Sequence, residues 1–135
     1  MNNDATHAML EEVIISHHYQ PGDIGAVVNL HGELYGFGKS FEAYVATTLG
    51  DFYQNMNPEN ERIWIASQHD KIIGSIALKN TEDWAQLRYF LIHSDYRGIG
   101  LGKELLRLFR EFMLACGYEK SFRNYSGGSN SLKVR

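Results

Sequence analysis

Nine residues, Asp95-Tyr96-Arg97-Gly98-Ile99-Gly100-Leu101-Gly102-Lys103, stand between an apolar, strand-like run (87–92) and an amphipathic run (101–116). Three glycines at alternate positions remove the Cβ atoms that would hold a ligand away from the backbone. The helix expected to follow points its unpaired N–H groups back into the loop, and its dipole adds to them. A strand, a glycine loop and a helix in that order form an anion site, and phosphate or pyrophosphate is its natural guest.

The spacing separates this loop from two nucleotide-binding patterns. A P-loop needs Gly, four residues, then Gly-Lys and Ser or Thr, whereas here Arg97 opens the run and Glu104 follows Lys103. The dinucleotide fingerprint needs Gly-x-Gly-x-x-Gly, but the third glycine comes one residue early, at Gly102. Glu119 lies where that fold places a ribose carboxylate, yet only a short polar stretch follows, so a doubly wound sheet is not completed.

Bulk properties narrow the setting. The 135 residues suit one domain with its own core, and 44% apolar with 21% charged residues are ordinary for a globular protein. A formal net charge of -3 without a basic block argues against a nucleic-acid surface. Cys116 is the only cysteine, so no internal disulfide forms, and no apolar run is as long as a membrane span. Met1-Asn2-Asn3-Asp4 lacks the basic and apolar regions of a signal peptide, and the expected location is cytoplasmic.

Along the chain, Val13-Ile14-Ile15 favours a strand. His17 and His18 follow it; as strand neighbours they would face opposite ways, and no metal site is expected. Pro21-Gly22-Asp23 starts a helix whose stripe is Ile24, Val27, Val28, His31, Leu34 and Tyr35, with Gly36 and Gly38 as stops. Ser40 is the expected N-cap of a second helix, with Phe41, Tyr44, Val45, Thr48, Leu49, Phe52, Tyr53 and Met56 facing the core. A three-strand meander follows: 62–68, a turn at Asp70-Lys71, then 72–78, a turn at 81–83, and 84–93. Gly74 marks a bulge or a close backbone approach, and Leu87, Tyr89 and Leu91 should alternate against Arg88, Phe90 and Ile92. After the loop, Leu101, Leu105, Leu108, Phe109, Phe112 and Cys116 line a helix that Gly117 ends.

The run Arg97-Gly98-Ile99-Gly100-Leu101-Gly102 resembles the Gln/Arg-x-x-Gly-x-Gly/Ala signature of the GCN5-related N-acetyltransferases (GNAT). The order strand, two helices, three-strand meander, glycine loop and helix is also that family's order. Pro21-Gly22-Asp23, 31–42 and 61–66 resemble more narrowly the acetyltransferase part of bacterial proteins that fuse it to a MarR-type regulator. The resemblance implies an α/β (α+β) GNAT-like acyl-CoA N-acyltransferase fold, a mixed, mostly antiparallel sheet flanked by helices. It covers roughly residues 12–120, within a domain expected over 1–120; residues 121–135, rich in Gly, Ser and Asn, read as a flexible or atypical tail in place of the family's last strands.

The resemblance implies acetyl-CoA as cofactor and transfer of its acetyl group to a primary amine of a small molecule or protein. Backbone groups of Gly98, Gly100, Gly102 and Lys103, with Arg97, would hold the pyrophosphate, and the main chain of Phe90 and Ile92 would pair with the pantetheine arm. The Ile92 N–H would polarise the thioester carbonyl. The family's frequent glutamate base falls at Gln86, which leaves Glu33, Glu82 or a water chain for that role. A shortened C-terminus would expose an apolar surface that a homodimer could cover, and it sets a rival reading beside the enzyme: a catalytically silent, CoA-binding or self-associating remnant. A regulatory module beside a DNA-binding partner is a third reading, although the chain carries no recognition-helix signal.

Overall fold

The alternation of β2 decides how the molecule is layered. Ile63 and Ile65 of β2 (Arg62–Gln68) enter one buried cluster, and Trp64 and Ala66 enter another on the opposite face. The computed structural model describes residues 12–118 and the backbone of residues 123 and 124. They form a five-stranded sheet with strand order equal to chain order: β1 (Val13–Ser16), β2, β3 (Lys71–Thr81), β4 (Trp84–Ile92) and β5 (Arg123–Asn124). All neighbours are antiparallel except β4 and β5, which run parallel. The expected mixed, mostly antiparallel sheet flanked by helices is therefore present. Its β5 falls within residues 121–135.

One face carries α1 (Asp23–Tyr35) and α2 (Lys39–Asn55), through Val27, Val28, Val45, Leu49 and Phe52. The other carries α3 (Leu101–Ala115), whose Leu101, Leu105, Phe109 and Met113 recur every fourth residue and are at most 2% exposed. Gly117 (φ 83°) ends this helix, and the Tyr118 hydroxyl then lies 2.9 Å from the Asn60 carbonyl and 3.0 Å from Asn80 Oδ1, fixing that end to the sheet.

Several local expectations change. The helix α2 begins at Lys39 after Gly38, with no side-chain cap, so Ser40 lies inside the helix rather than capping it. Tyr44 is 60% exposed and leaves the core stripe. β1 ends at Ser16, before the histidine pair, so the His17 and His18 rings are not splayed by a strand and lie 4.3 Å apart. The hairpins turn through two successive left-handed residues each, His69-Asp70 and Glu82-Asp83, so Lys71 and Thr81, expected in the turns, belong to β3.

The alternation along β4 breaks at Tyr89, which has φ 52°. Ser75 pairs with Leu91 and Ala77 with Arg88, a step of two on β3 against three on β4, so β4 carries an extra residue there. Leu87 consequently shares the α3 face with Phe90 and Ile92, while Tyr89 packs toward α1 and α2. The bulge turns the Tyr89 carbonyl out of the ladder and onto the fully buried Ser75 Oγ, which donates to it at 2.6 Å. A second irregularity, between Ala66 and Ser67, sits opposite Gly74, where a Cβ would come 3.1 Å from the Leu91 carbonyl oxygen. Gly74 thus marks both a bulged register and a close approach.

His31 seals the α1–β4 interface. It is 5% exposed, its Nδ1 lies 2.7 Å from the Val27 carbonyl, and its ring meets that of Tyr89 at 5.8 Å. Because a carbonyl only accepts, Nδ1 carries the proton in the neutral ring.

Ser75→Ala should lower stability by about 1–3 kcal/mol in urea unfolding, since it leaves the Tyr89 carbonyl unpaired. Burial holds the pKa of His31 below its usual 6.5, so the unfolded chain takes up the proton first as pH falls. Stability contributed by the neutral ring is complete above about 6.5 and declines toward the lowered folded value. Urea midpoints at pH 7.5 and 5.5 should differ less for His31→Gln than for the wild type.

Candidate functional site

The glycine loop is anchored by its apolar residues and exposed through its backbone. Its start is fixed to β3 by the His93 N–H donating to the Ile73 carbonyl at 2.7 Å, followed by a short 3-10 turn over Ser94–Tyr96. The Tyr96 hydroxyl bonds Gln68 on β2. Ile99 and Leu101 are 8% and 1% exposed and plug into the α3 face of the core, while Arg97, Gly98 and Gly100 remain exposed. Gly98 and Gly100 have φ 82° and 92°, values that L side chains rarely adopt. The left-handed Gly100 is also the N-cap of α3.

The first cap bond of α3 runs from the Glu104 N–H to the Gly100 carbonyl at 3.1 Å. The amides of Leu101, Gly102 and Lys103 precede the first possible i to i−4 bond within the helix, and helix geometry aims them at the loop. The first turn packs against the sheet at Gly102, where a Cβ would make ordinary van der Waals contact with Phe90 and Ile92, at 3.7 and 3.9 Å. The Lys103 side chain is exposed.

The edge of β4 supplies a second set of donors. Since His93 bonds Ile73 and Leu91 pairs with Ser75, the intervening Ile92 opposite Gly74 directs its N–H and carbonyl away from β3. The Arg97 Nε–H confirms that direction by donating to the Ile92 carbonyl at 3.2 Å. By the same alternation the Phe90 N–H faces outward. The β5 ladder covers only Gln86 and Leu87, so among the described residues no strand covers this edge at Phe90 and Ile92.

Loop and edge meet at a cleft of about 310 Å³ lined by Leu34, Tyr35, Phe90, Leu91, Ile92 and Arg97. The structure therefore brings together Phe90, Ile92, Arg97, Gly98, Gly100, Gly102 and the Lys103 backbone. It does not bring both carboxylates with them. Glu33 is exposed on α1, where Asn29 Nδ2 donates to it at 3.0 Å, one residue from cleft-lining Leu34. Glu82 lies in the β3–β4 turn, roughly 30 Å from Ile92 along an extended strand. Gln86 is 4% exposed and accepts from the Thr81 hydroxyl at 3.0 Å.

Ser75 and Tyr89 are the positions that the pattern of apolar residues hid. The only available signal was a serine in the otherwise apolar run Ile72-Ile73-Gly74-Ser75-Ile76-Ala77-Leu78. Tyr89 is further fixed by its hydroxyl donating to Thr48 Oγ1 at 2.9 Å, and burial raises its pKa.

The donor set suits a pyrophosphate ligand carrying an extended, amide-bearing arm: free amides and glycines at the loop, a guanidinium beside them, and an open strand edge alongside. Comparisons with known proteins agree with that chemistry. No curated protein matches the chain. Among solved structures, an acetyltransferase from Streptococcus agalactiae aligns with a TM-score of 0.67 at 26% identity, covering 84% of this chain and 73% of that one. The ribosomal-protein-S18-alanine N-acetyltransferase from Escherichia coli aligns at 0.63 with 19% identity over 83% and 65% of the two chains. An aminoglycoside 6'-N-acetyltransferase complexed with coenzyme A aligns at 0.64 with 18% identity over 82% and 60%. The model of the acetyltransferase (GNAT) family matches residues 24–126. As that match spans well over half of the 135 residues, the chain belongs to the GNAT acetyltransferase family, whose acetyl donor is acetyl-CoA.

Proposed function

We propose that this protein is an N-acetyltransferase acting on a primary amine. The observation that carries the reading is the convergence of the loop amides and the outward N–H groups of β4 on one cleft. Acetyl-CoA supplies the activated acetyl group, and the chain's own residues hold it and polarise it. The backbone of Gly98, Gly100, Gly102 and Lys103 binds the pyrophosphate at the positive end of the α3 dipole. Arg97, bonded to the Ile92 carbonyl, joins that phosphate site to the strand edge. Phe90 and Ile92 offer main-chain groups to the arm, as in strand addition. The Ile92 N–H would stabilise negative charge on the thioester carbonyl oxygen as the amine adds, and the proton shed by the acylated nitrogen would go to the departing coenzyme A thiolate.

The incoming ammonium loses a proton before it attacks. Glu33 is the carboxylate on the helix that lines the cleft, and a base there acts through water. Glu82 is too far along β4 to share that role. The likeness to an enzyme complexed with coenzyme A supports the cofactor assignment, and the alanine and aminoglycoside acetyltransferases show that both protein and small-molecule amines are acted on by proteins of this fold.

Isothermal titration should give one acetyl-CoA site per chain. Gly98→Val and Gly100→Val, which force a β-branched residue to positive φ, should each weaken binding at least tenfold with an unchanged far-UV spectrum. A folded wild type with no acetyl-CoA binding would defeat the cofactor reading. Glu33→Gln should lower kcat about tenfold or more while leaving the acetyl-CoA Kd within twofold. An unaltered pH–rate profile in that variant would remove Glu33 from the mechanism.

A further inference from the structure

The loop between α1 and α2 is built to present aromatic surface. Gly36 (φ 62°) and Gly38 (φ 87°) are both left-handed and fold the chain so that Phe37 lies over Tyr35, their rings stacked at 5.7 Å and 19°. Phe41, from the first turn of α2, meets Tyr35 at 5.5 Å and Phe37 at 5.3 Å, both edge-on. Such a cluster would be core if it were covered. Instead Phe37 is 69% and Tyr35 45% exposed, and only Phe41 is tied to the α1–α2 core. A simple turn would place a polar residue at the position of Phe37.

Tyr35 belongs to two features at once: it is one corner of this triad and a wall of the cleft that ends at Ile92. An amine whose nitrogen reaches the Ile92 end therefore extends its carbon skeleton over the Tyr35–Phe37 face. We infer that the acceptor is a small primary amine carrying an aromatic ring on a short chain, and that the Tyr35–Phe37–Phe41 platform selects it. This rests on the acetyltransferase reading above.

The ring geometry limits the chemistry of the acceptor. Ring centroids 5.3–5.7 Å apart leave no room for an ammonium among the three rings, so the triad is a stacking platform and not a cage. Glu33, Lys39 and Glu42 neighbour the triad in sequence, and Arg97 shares the cleft wall with Tyr35, so the two charge signs balance. Glu42 Oε1 lies against the Gly32 backbone, 2.9 Å from where a Cβ would stand. A polyhydroxylated amine would gain nothing from the ring faces.

The test uses the full chain with saturating coenzyme A and 2-phenylethylamine as the probe, read by calorimetry and separately by thiol release from acetyl-CoA. 2-Phenylethylamine should bind at least tenfold more tightly than propylamine or glucosamine. Phe37→Ser should abolish that preference and Phe37→Tyr should keep it, with the acetyl-CoA Kd unchanged in both. Equal binding of the three amines, or a preference that survives Phe37→Ser, overturns the platform. Tighter binding of an alanine-initiated peptide overturns it in favour of a protein acceptor. Selective binding without thiol release keeps the platform and defeats the acetyltransferase reading, so the two failures are distinct.

Discussion

The hydrogen bond from Ser75 Oγ to the Tyr89 carbonyl holds together most of what matters in this molecule. An extra residue in a strand leaves one backbone group without a ladder partner, and in a fully buried position that omission is costly. Ser75 removes the cost with one side chain from the neighbouring strand. The bulge can then persist, and past it β4 changes which side chains face which helix. Phe90 and Ile92 come to pack under the first turn of α3 while their amides stay at the open edge.

The glycine loop and this edge depend on each other for position. At Gly102 α3 begins against Phe90 and Ile92, and Arg97 closes back onto the Ile92 carbonyl. The loop's apolar residues do the opposite task from its glycines: Ile99 and Leu101 sink into the core and fix the backbone, and the positive-φ positions between them expose it. The cofactor recognition proposed here would be a property of backbone direction, set by packing on the hidden side.

The order of elements was legible because each has a strong local cause. The 3.6 period over 101–116, the apolar runs of the meander and the turn residues between them each specify an element without help from tertiary structure. The loop was legible for the same reason, since three alternate glycines before an amphipathic helix have one economical meaning. Tyr89 was not legible. A tyrosine in a strand pattern gives no sign of positive φ, and only pairing with Ser75, a distant residue, makes that conformation tolerable. Tyr35 and Tyr44 fit a helical stripe by spacing, yet both lie at the margin of the buried face and are 45% and 60% exposed. Periodicity locates a stripe's centre better than its edges. The two-residue β5 carries too little pattern to be read before its partner is known.

The closeness of α3 to β4 has one more consequence. The loop amides proposed to bind phosphate and the strand-edge amides are joined through the contact of α3 with β4 and the Arg97 bond to the Ile92 carbonyl. A ligand with two separated recognition groups, once held by the first, finds the second at a high effective concentration, because the spacing is already set and little further ordering is needed. Its two halves thus bind more strongly joined than the same fragments would apart. On the proposed reading, the helix–strand contact would act as a chelating scaffold.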